Sequence, residues 1–312
     1  MGPLAQRKTY THSQETFALV QFSAGLTLET LAPSTRTAYS KTVKQFTTFV
    51  SSLEPGLNCF PVSPMHINLF TCHLFLKGLS PATITTKVSA LGFWHKLYDQ
   101  PDPTEHFLVR RNLSAMRKRR PQVDSRPPLT LPALHTMCRT AESMGWSKYN
   151  VKLFRAMLIL SFHGFLRPGE MTNSVNSISF FNTTLSPSAV TLNLLSYKHS
   201  KGKPAVLRIR PTADEFCPLK SLAQYLLLRG SHKGNLFCDI LGKPIPYSWY
   251  NSRFRAVTQA ASLNPALRPH SARIGAATWA AMQGVPEDRI KRMGRWVSSA
   301  YDRYLRLPAI TL

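Results

Sequence analysis

The sequence predicts a mainly α-helical protein with a small antiparallel β-sheet, arranged as an N-terminal helical domain and a C-terminal α+β domain. Over most of the chain, apolar residues recur at spacings of three and four, the pattern of amphipathic helices. Between residues 178 and 210 the spacing changes to two, which indicates short strands. A proline-rich segment over 119–130 separates the two parts, and 312 residues suit two domains.

The N-terminal domain is predicted to span residues 28–118 and to follow a tail over 1–27. Its first helix is expected to begin with Ser34 as the N-cap, since a stripe of apolar residues follows. Two Ser-Pro pairs, at 63–64 and 80–81, are typical helix starts. Four helices of this length indicate a small bundle. The predicted helices begin at Ser34, Ser63, Ser80 and after Pro103.

The C-terminal domain is predicted over residues 131–312, with helices before and after a small sheet along the chain. Turns are expected at 186–188 and 201–204, where Pro, Ser and Gly interrupt the strand pattern. Helices are predicted over 131–144, 148–164, 219–229, 247–263, 270–284, 286–293 and 298–306, and strands over 178–181, 190–197 and 206–210.

The chain is strongly basic, with 39 Lys and Arg against 15 Asp and Glu, a formal net charge of +24. Such a surface repels itself unless a polyanion neutralises it, so double-stranded DNA is the expected partner. Basic residues outnumber acidic ones on both sides of the segment 119–130. A clamp around DNA requires such an arrangement, and an ordinary interdomain spacer also explains it. The expected DNA-contacting residues are Lys87, Arg117, Lys118, Arg119 and Arg120.

Other classes of protein find little support in the sequence. No apolar run approaches the roughly 20 residues that a membrane-spanning helix needs. The five cysteines are odd in number and never spaced as CxxC, so neither a disulfide framework nor a zinc site is expected. We therefore expect no membrane association, no bound metal and no small-molecule substrate.

Phosphodiester transfer without a metal needs cations around the phosphate, an acid for the leaving oxygen and a nucleophile. The sequence offers such a set, but each member alone has an ordinary structural explanation. Arg167 follows a buried helix, where a basic residue complements the helix dipole. Trp296 and Tyr304 are as easily core aromatics. The set, in chain order, is Arg167, Glu170, Lys198, His270, Arg273, Trp296 and Tyr304.

This order resembles that of the tyrosine recombinase, or phage-integrase-like, family. The amino-acid sequence over residues 162–170, 197–200 and 294–306 is similar to that of recombinases from DIRS-, Ngaro- and Crypton-type eukaryotic mobile elements. The resemblance covers nearly the whole chain. It implies that residues 28–118 form a SAM-like core-binding domain and that residues 131–312 form the catalytic domain.

The resemblance also implies a role for each residue that holds the phosphate. Arg167 and Arg273 would bind the non-bridging oxygens, for which the planar guanidinium fork is suited. His270 would donate to the same phosphate or act in proton transfer. Trp296 would pack there and offer its indole N–H, and Glu170 would brace the cluster without reacting.

Two further residues would carry the reaction itself. Tyr304 would attack phosphorus to form a 3′-phosphotyrosyl enzyme and a free 5′-hydroxyl, and Lys198 would protonate the departing oxygen. Lys201, three residues after Lys198, and Tyr301, three residues before Tyr304, are less favoured alternates for these two roles. Because the energy of the broken bond is kept in the tyrosyl ester, no cofactor or ATP would be needed.

The sequence leaves three alternatives open. A metal-dependent transposase would need a set of carboxylates, which are scarce in the C-terminal domain. A type IB topoisomerase would share the tyrosine chemistry, but the compact chain favours recombination. A catalytically inactive or domesticated DNA-binding protein would keep the charge and the fold. The resemblance further implies a homotetramer on DNA and, with the basic run 117–120, action in the nucleus.

Overall fold

The computed structural model divides the chain into two compact units, Met1–Val123 and Asp124–Leu312, named here the N-terminal and C-terminal units. The division falls inside the segment 119–130 that the sequence predicts to be a linker. Each unit has its own hydrophobic core. No helix in the described part of the chain is long and apolar enough to cross a membrane. The structure describes residues 14–57, 60–121, 124–198, 200, 202–297, 301 and 304–306.

The N-terminal unit is helical throughout its described residues. The Ser-Pro pairs begin helices as predicted, because Ser63 and Ser80 each accept a hydrogen bond from a main-chain N–H in the first turn. Between the helices the side chains of Phe46 and Phe70 pack edge to face, 5.2 Å apart. The helices are α1 (Gln14–Glu29), α2 (Pro33–Leu53), α3 (Pro64–Leu76), α4 (Pro81–Leu97) and α5 (Phe107–Arg119), with a 3₁₀ turn at Pro103–Glu105.

Two predictions for this unit are wrong in detail. Residues 14–27, expected to lie in a tail, belong to α1. Its large apolar residues, such as Phe17 and Phe22, are exposed and form no single stripe, so the spacing gave no helical signal. Helix α2 begins at Pro33, one residue before the predicted cap Ser34, because proline is favoured in the first helical turn.

The C-terminal unit is built around α7, whose side chains are almost all buried. Other helices of the unit pack against it, and the predicted helical segments as far as residue 293 are observed with small shifts at their ends. The elements are α6 (Leu131–Ser143), α7 (Lys148–His163), α8 (Pro168–Met171), β1 (Thr183–Ser186), β2 (Ala189–Leu194), β3 (Ala205–Ile209), α9 (Pro218–Arg229), α10 (Tyr247–Ala260), α11 (Pro269–Met282) and α12 (Glu287–Gly294).

The three strands form one antiparallel sheet in the order β1-β2-β3. Val190 at its centre pairs with Leu185 on one side and Ile209 on the other. The predicted strand over 178–181 is wrong. Its alternation reflects a buried Ile178 followed by a 3₁₀ turn at Phe180–Asn182. The first strand begins only after that turn.

The predicted helix over 298–306 falls largely outside the described residues. Tyr301 and residues 304–306 are the part of this segment that the structure describes.

Helix α11 is fixed in place by a close main-chain contact with the segment before α6. The N–H of Leu129 donates to the carbonyl of Ser271 over 2.9 Å. One turn further along α11, a Cβ atom on Gly275 would overlap the main-chain carbonyl of Leu129. Glycine therefore allows the two segments to touch, and the contact sets the position of α11.

We expect Gly275→Ala to lower the free energy of unfolding of the C-terminal unit by about 3 kcal/mol, since overpacking against main-chain atoms cannot be relieved by a side-chain rotation. Gly25→Ala in α1 is the control, because nothing lies within 4 Å of the added methyl. It should be neutral or slightly stabilising. Urea unfolding monitored by circular dichroism makes the comparison. Equal stability of the Gly275 variant and the wild type would contradict the contact.

Candidate functional site

A basic cleft of about 570 Å³ opens in the C-terminal unit. Five of the predicted site residues that react or hold phosphate, together with Glu170, lie around it. The lining residues are Asp124, Arg126, Arg167, Gly169, Glu170, Asn176, Lys198, His270, Trp296 and Tyr304. Residues far apart in sequence thus meet at one concave, cationic surface.

Arg167 is positioned by a sharp change of direction after α7. Phe165 adopts a left-handed conformation with φ of 50°, and Pro168 then begins α8. The main-chain N–H of Arg167 donates to Glu170 Oε2 over 2.8 Å, and its Nη1 lies 3.1 Å from Oε1. Glu170 therefore closes the first turn of α8 and holds the guanidinium of Arg167 in the cleft wall.

Glu170 also binds a second arginine, Arg295, which sequence reasoning missed. Arg295 Nη2 lies 2.7 Å from Glu170 Oε2, and the two side chains are only 4% and 2% exposed. A buried carboxylate between two guanidinium groups is well compensated. Burial lowers the pKa of Arg295. Arg295 stands within the motif 294–296, but nothing in the local spacing marks its side chain as buried.

His270 and Arg273 lie one turn apart on α11, as their spacing predicts. His270 lines the basic cleft, whereas Arg273 is fully buried behind it. The Nη1 and Nη2 groups of Arg273 donate to the main-chain carbonyls of Phe165 and Gly294. Burial and the charges of Arg167 and Arg295 lower the pKa of Arg273 to about 9, so it remains cationic at neutral pH.

Trp296 and Tyr304 separate Arg273 from the cleft. The guanidinium of Arg273 lies 4.3 Å from the ring centre of Trp296 and 5.5 Å from that of Tyr304. The two rings are 4.9 Å apart. Trp296 lies directly over Gly294, where a Cβ atom would overlap the indole. The indole Nε1 is buried without a hydrogen-bond partner among the described residues.

The alternates for the two reacting groups differ in position. Lys198 is exposed in the β2–β3 connection and lines the cleft, whereas Lys201 lies outside the described residues. Tyr301 is 2% exposed, packs within the hydrophobic core and lies 5.6 Å from Trp296. Tyr304 is the described tyrosine that lines the cleft.

Four lining residues were not among the site residues expected from the sequence: Asp124, Arg126, Gly169 and Asn176. Arg126 donates from Nε and Nη2 to the two carboxylate oxygens of Asp124, over 2.8 and 2.7 Å. This bond lowers the pKa of Asp124 to about 2. Both residues lie in the segment assigned to a linker, and only their Asp-x-Arg spacing signals a local pair.

The expected DNA contacts of the N-terminal unit lie on α4, α5 and the residue after α5. Arg117, Lys118, Arg119 and Arg120 are exposed, and Arg120 lies over the ring of Phe75 at 4.1 Å. Lys87 Nζ donates to Gln45 Oε1 over 2.6 Å. Within the run, Arg117 donates to Thr85 and Arg120 to the carbonyl of Phe75, whereas the described residues include no side-chain bond of Lys118 or Arg119.

Two histidines of the C-terminal unit are held neutral. Burial, and then the charges of Arg126, Arg273 and Arg167, lower the pKa of His270 to about 4. At the end of α7, burial lowers the pKa of His163 to about 4 as well, with Asp214 opposing and His135 adding to the shift.

These shifts predict that the C-terminal unit loses stability in mild acid. Between pH 6.5 and about 4 the unfolded chain binds a proton on each histidine that the folded chain does not. Stability is therefore complete above pH 6.5 and falls as the pH drops towards 4, by up to about 3 kcal/mol per histidine. We expect His163→Gln to flatten this dependence in urea unfolding at pH 7 and pH 4.5. Parallel pH profiles for variant and wild type would contradict the assignment.

Among the described residues, no group of three or more His, Cys, Asp or Glu side chains is arranged to hold a metal ion. The chemistry of the cleft is instead that of an anion site. Fixed cations surround it, and a phenol and an ammonium group face it.

Comparison with known proteins identifies the fold of the chain. A family model described as "Phage integrase, N-terminal SAM-like domain" matches residues 19–99. No curated protein sequence matches the chain.

Solved structures are similar over nearly the full length. A lambda integrase dimer bound to a COC′ core site matches with a TM-score of 0.65 at 14% identity, over 92% of this chain and 94% of that one. The Tn1549 transposon integrase in complex with transposon right end DNA matches with a TM-score of 0.64 at 14% identity, over 93% and 95%.

A third similar structure is the XerH site-specific recombinase bound to a palindromic difH substrate, in a post-cleavage complex. It matches with a TM-score of 0.62 at 14% identity, over 88% of this chain and 76% of that one. The chain therefore has the tyrosine recombinase fold with an N-terminal SAM-like domain, and the predicted fold class is confirmed.

Proposed function

We propose that this protein is a site-specific DNA recombinase or integrase that breaks and rejoins strands through a 3′-phosphotyrosyl intermediate. One observation carries the proposal. One basic cleft within the recombinase fold is lined by five residues that are far apart in sequence: Arg167, Lys198, His270, Trp296 and Tyr304. Such a cleft supplies the charge that a phosphoryl transition state needs.

In the proposed reaction, Arg167 binds a non-bridging oxygen of the scissile phosphate. Its guanidinium is held by Glu170, so the position of its donors is fixed before DNA arrives. Arg273 adds positive charge from behind Trp296 and Tyr304. Its Nε is buried without a hydrogen-bond partner among the described residues, which leaves one donor for a phosphate oxygen if the rings shift.

Tyr304 Oη attacks phosphorus, and the bond from phosphorus to the 5′-oxygen breaks. The phenol proton passes to a base, and neutral His270, which lines the same cleft, is the proposed acceptor. Lys198 gives a proton to the departing 5′-oxygen. A 5′-hydroxyl of a second strand then attacks the phosphotyrosyl ester and releases Tyr304. One phosphodiester bond is broken and one is formed, so no ATP is consumed.

We further propose that residues 28–118 act as the core-binding domain and 131–312 as the catalytic domain of a eukaryotic mobile-element recombinase, acting in the nucleus as a homotetramer on DNA. The sequence of the motifs over 162–170 and 294–306 supports the mobile-element relationship. The basic run 117–120 supports a nuclear address.

An inactive protein that only binds DNA is the second candidate, and the excess of basic residues favours it equally. It would show steep salt dependence and some site preference without forming a covalent bond to DNA. The experiment that separates the two is covalent capture.

Purified protein is incubated in excess EDTA with nicked duplexes in which the sequence around the nick is randomised. DNA that stays attached to protein after denaturation in detergent is recovered and sequenced. The proposal predicts a covalent complex with an enriched sequence. Binding that is salt-sensitive and never covalent would favour the second candidate, and a covalent complex that forms only when Mg²⁺ replaces EDTA would contradict the mechanism.

The N-terminal unit is proposed to contact the DNA backbone through Lys118 and Arg119. Each phosphate contact contributes about 0.9 to the slope of log affinity against log salt. We expect the double change Lys118→Gln and Arg119→Gln to reduce that slope by about 2. Arg110→Gln is the control, since it lies on the same helix and pairs with Glu105. Equal slopes for the double variant and the control would remove these residues from the interface.

A further inference from the structure

Asp124 joins the beginning of the C-terminal unit to the segment that carries Tyr304. Arg306 Nη2 donates to the main-chain carbonyl of Asp124 over 2.8 Å, and the same nitrogen lies 3.6 Å from the carboxylate. The two residues are 182 positions apart in sequence. The guanidinium also donates from Nη1 to the carbonyl of Leu305 over 2.9 Å. It thus bridges its own segment and Asp124.

The same short segment is held on its other side by α11. The hydroxyl of Thr278 donates to the carbonyl of Tyr304 over 3.3 Å and accepts from the N–H of Arg306 over 3.2 Å. Thr278 is buried on the helix that carries His270 and Arg273. Together the two sets of bonds fix the main chain of residues 304–306 between α11 and Asp124.

Asp124 is itself held by Arg126. The carboxylate accepts two side-chain hydrogen bonds from Arg126 and one from its main-chain N–H. The pKa of Asp124, lowered to about 2 mainly by Arg126, keeps the carboxylate charged at neutral pH. A carboxylate in a phosphate-binding cleft repels the substrate, so its presence calls for an organising role.

We propose that Arg306 is a positioning residue for Tyr304, acting through a latch defined by its contacts with Asp124. This inference rests on the proposed function. Arg306 does not touch the reacting atoms in this account. It sets the main-chain position from which the phenol oxygen reaches phosphorus, and a displacement of about 1 Å in such an arrangement costs about 10²-fold in rate.

The test compares the rate of covalent complex formation at saturating DNA with the affinity for DNA. Arg306→Gln should slow the reaction about tenfold or more while the dissociation constant changes by less than about threefold. Arg292→Gln is the matched control, because it removes an exposed arginine paired with Asp288 and should leave both quantities unchanged. Asp124→Asn combined with Arg306→Gln should be no slower than Arg306→Gln alone, as expected for residues acting through one link.

Arg306→Lys separates position from charge. A lysine keeps the charge but lacks the planar fork that bridges Leu305 and Asp124, so its rate should fall between those of the wild type and Arg306→Gln. A wild-type rate for Arg306→Lys would contradict the latch, because it would show that the charge at position 306 is sufficient. A wild-type rate for Arg306→Gln would overturn it directly.

Hydrogen exchange of the DNA-free protein gives a second readout that needs no activity. In the wild type the amide of residue 306 is bonded to Thr278, and Arg306→Gln should speed exchange of peptides covering residues 304–306. If the wild type forms no covalent complex, the proposed function is wrong. The rate of hydrogen exchange over residues 304–306 still shows whether Arg306 holds this segment in place. Unchanged exchange in Arg306→Gln would overturn the latch even if the protein is an active recombinase.

Discussion

Tyr304→Phe is expected to abolish covalent attachment to DNA, with a loss of more than about 10³-fold in rate that leaves the complex below detection. The change removes only the phenol oxygen. The ring of Tyr304 keeps its contact with Trp296, 4.9 Å away, and its place over Arg273. Folding and DNA affinity should therefore stay as in the wild type, and the loss can be assigned to the missing nucleophile. Covalent capture in detergent measures it.

Tyr301→Phe provides the matched control for this prediction. Tyr301 also packs on Trp296, at 5.6 Å, but lies within the hydrophobic core and not on the cleft. The variant should retain covalent attachment. The opposite result, an active Tyr304→Phe and an inactive Tyr301→Phe, would move the nucleophile to Tyr301 and require the segment to rearrange on DNA.

Arg167→Gln is expected to slow covalent attachment at saturating DNA by about 10³-fold. The change removes a cation that lines the cleft, and it leaves the buried Glu170 with Arg295 as its remaining arginine partner. Affinity for DNA should fall much less, because one phosphate contact is a small part of the electrostatic binding energy. Single-turnover rates and binding isotherms separate the two effects.

Arg139→Gln is the control for Arg167→Gln. Arg139 is likewise paired with a glutamate, Glu215 at 2.7 Å, but the pair is exposed and does not line the cleft. It should react at the wild-type rate. If both variants slowed the reaction equally, the effect of Arg167 would be one of overall charge, and its assignment to the scissile phosphate would be wrong.

Much of the fold follows from local sequence patterns. Helices such as α3 and α4 begin where a serine caps and a proline follows, and the long buried helix α7 has an unmistakable apolar face. The patterns fail where burial is not periodic. Helix α1 exposes its apolar residues, and Ile178 is buried beside a 3₁₀ turn that mimics a strand.

The site is less readable from sequence than the fold. The residues that meet in the cleft were found through the resemblance of their order to that of a known family. No local property of the sequence marks them. They are Arg167, Lys198, His270, Trp296 and Tyr304. Arg273 lies behind the cleft, where its Nη1 and Nη2 groups donate to main-chain carbonyls. A hydrogen bond from a side chain to a distant main-chain carbonyl cannot be predicted from the spacing of residues in the sequence.

Pairs of distant residues were missed for the same reason. Glu170 with Arg295, and Asp124 with Arg306, join segments that are far apart in the chain. Periodicity reports on one element at a time, so contacts between elements become visible only when the segments are assembled. Both pairs hold residues of the cleft in place.

The most direct test of the central claim is to identify the amino acid and the DNA end joined in the covalent complex. The captured complex is digested with nuclease and protease, and the DNA-bearing peptide is sequenced by mass spectrometry. We expect a 3′-phosphate ester on Tyr304 and a released strand whose 5′-hydroxyl accepts phosphate from a kinase without prior dephosphorylation. Attachment through any other residue, or through a 5′-phosphate, would contradict it.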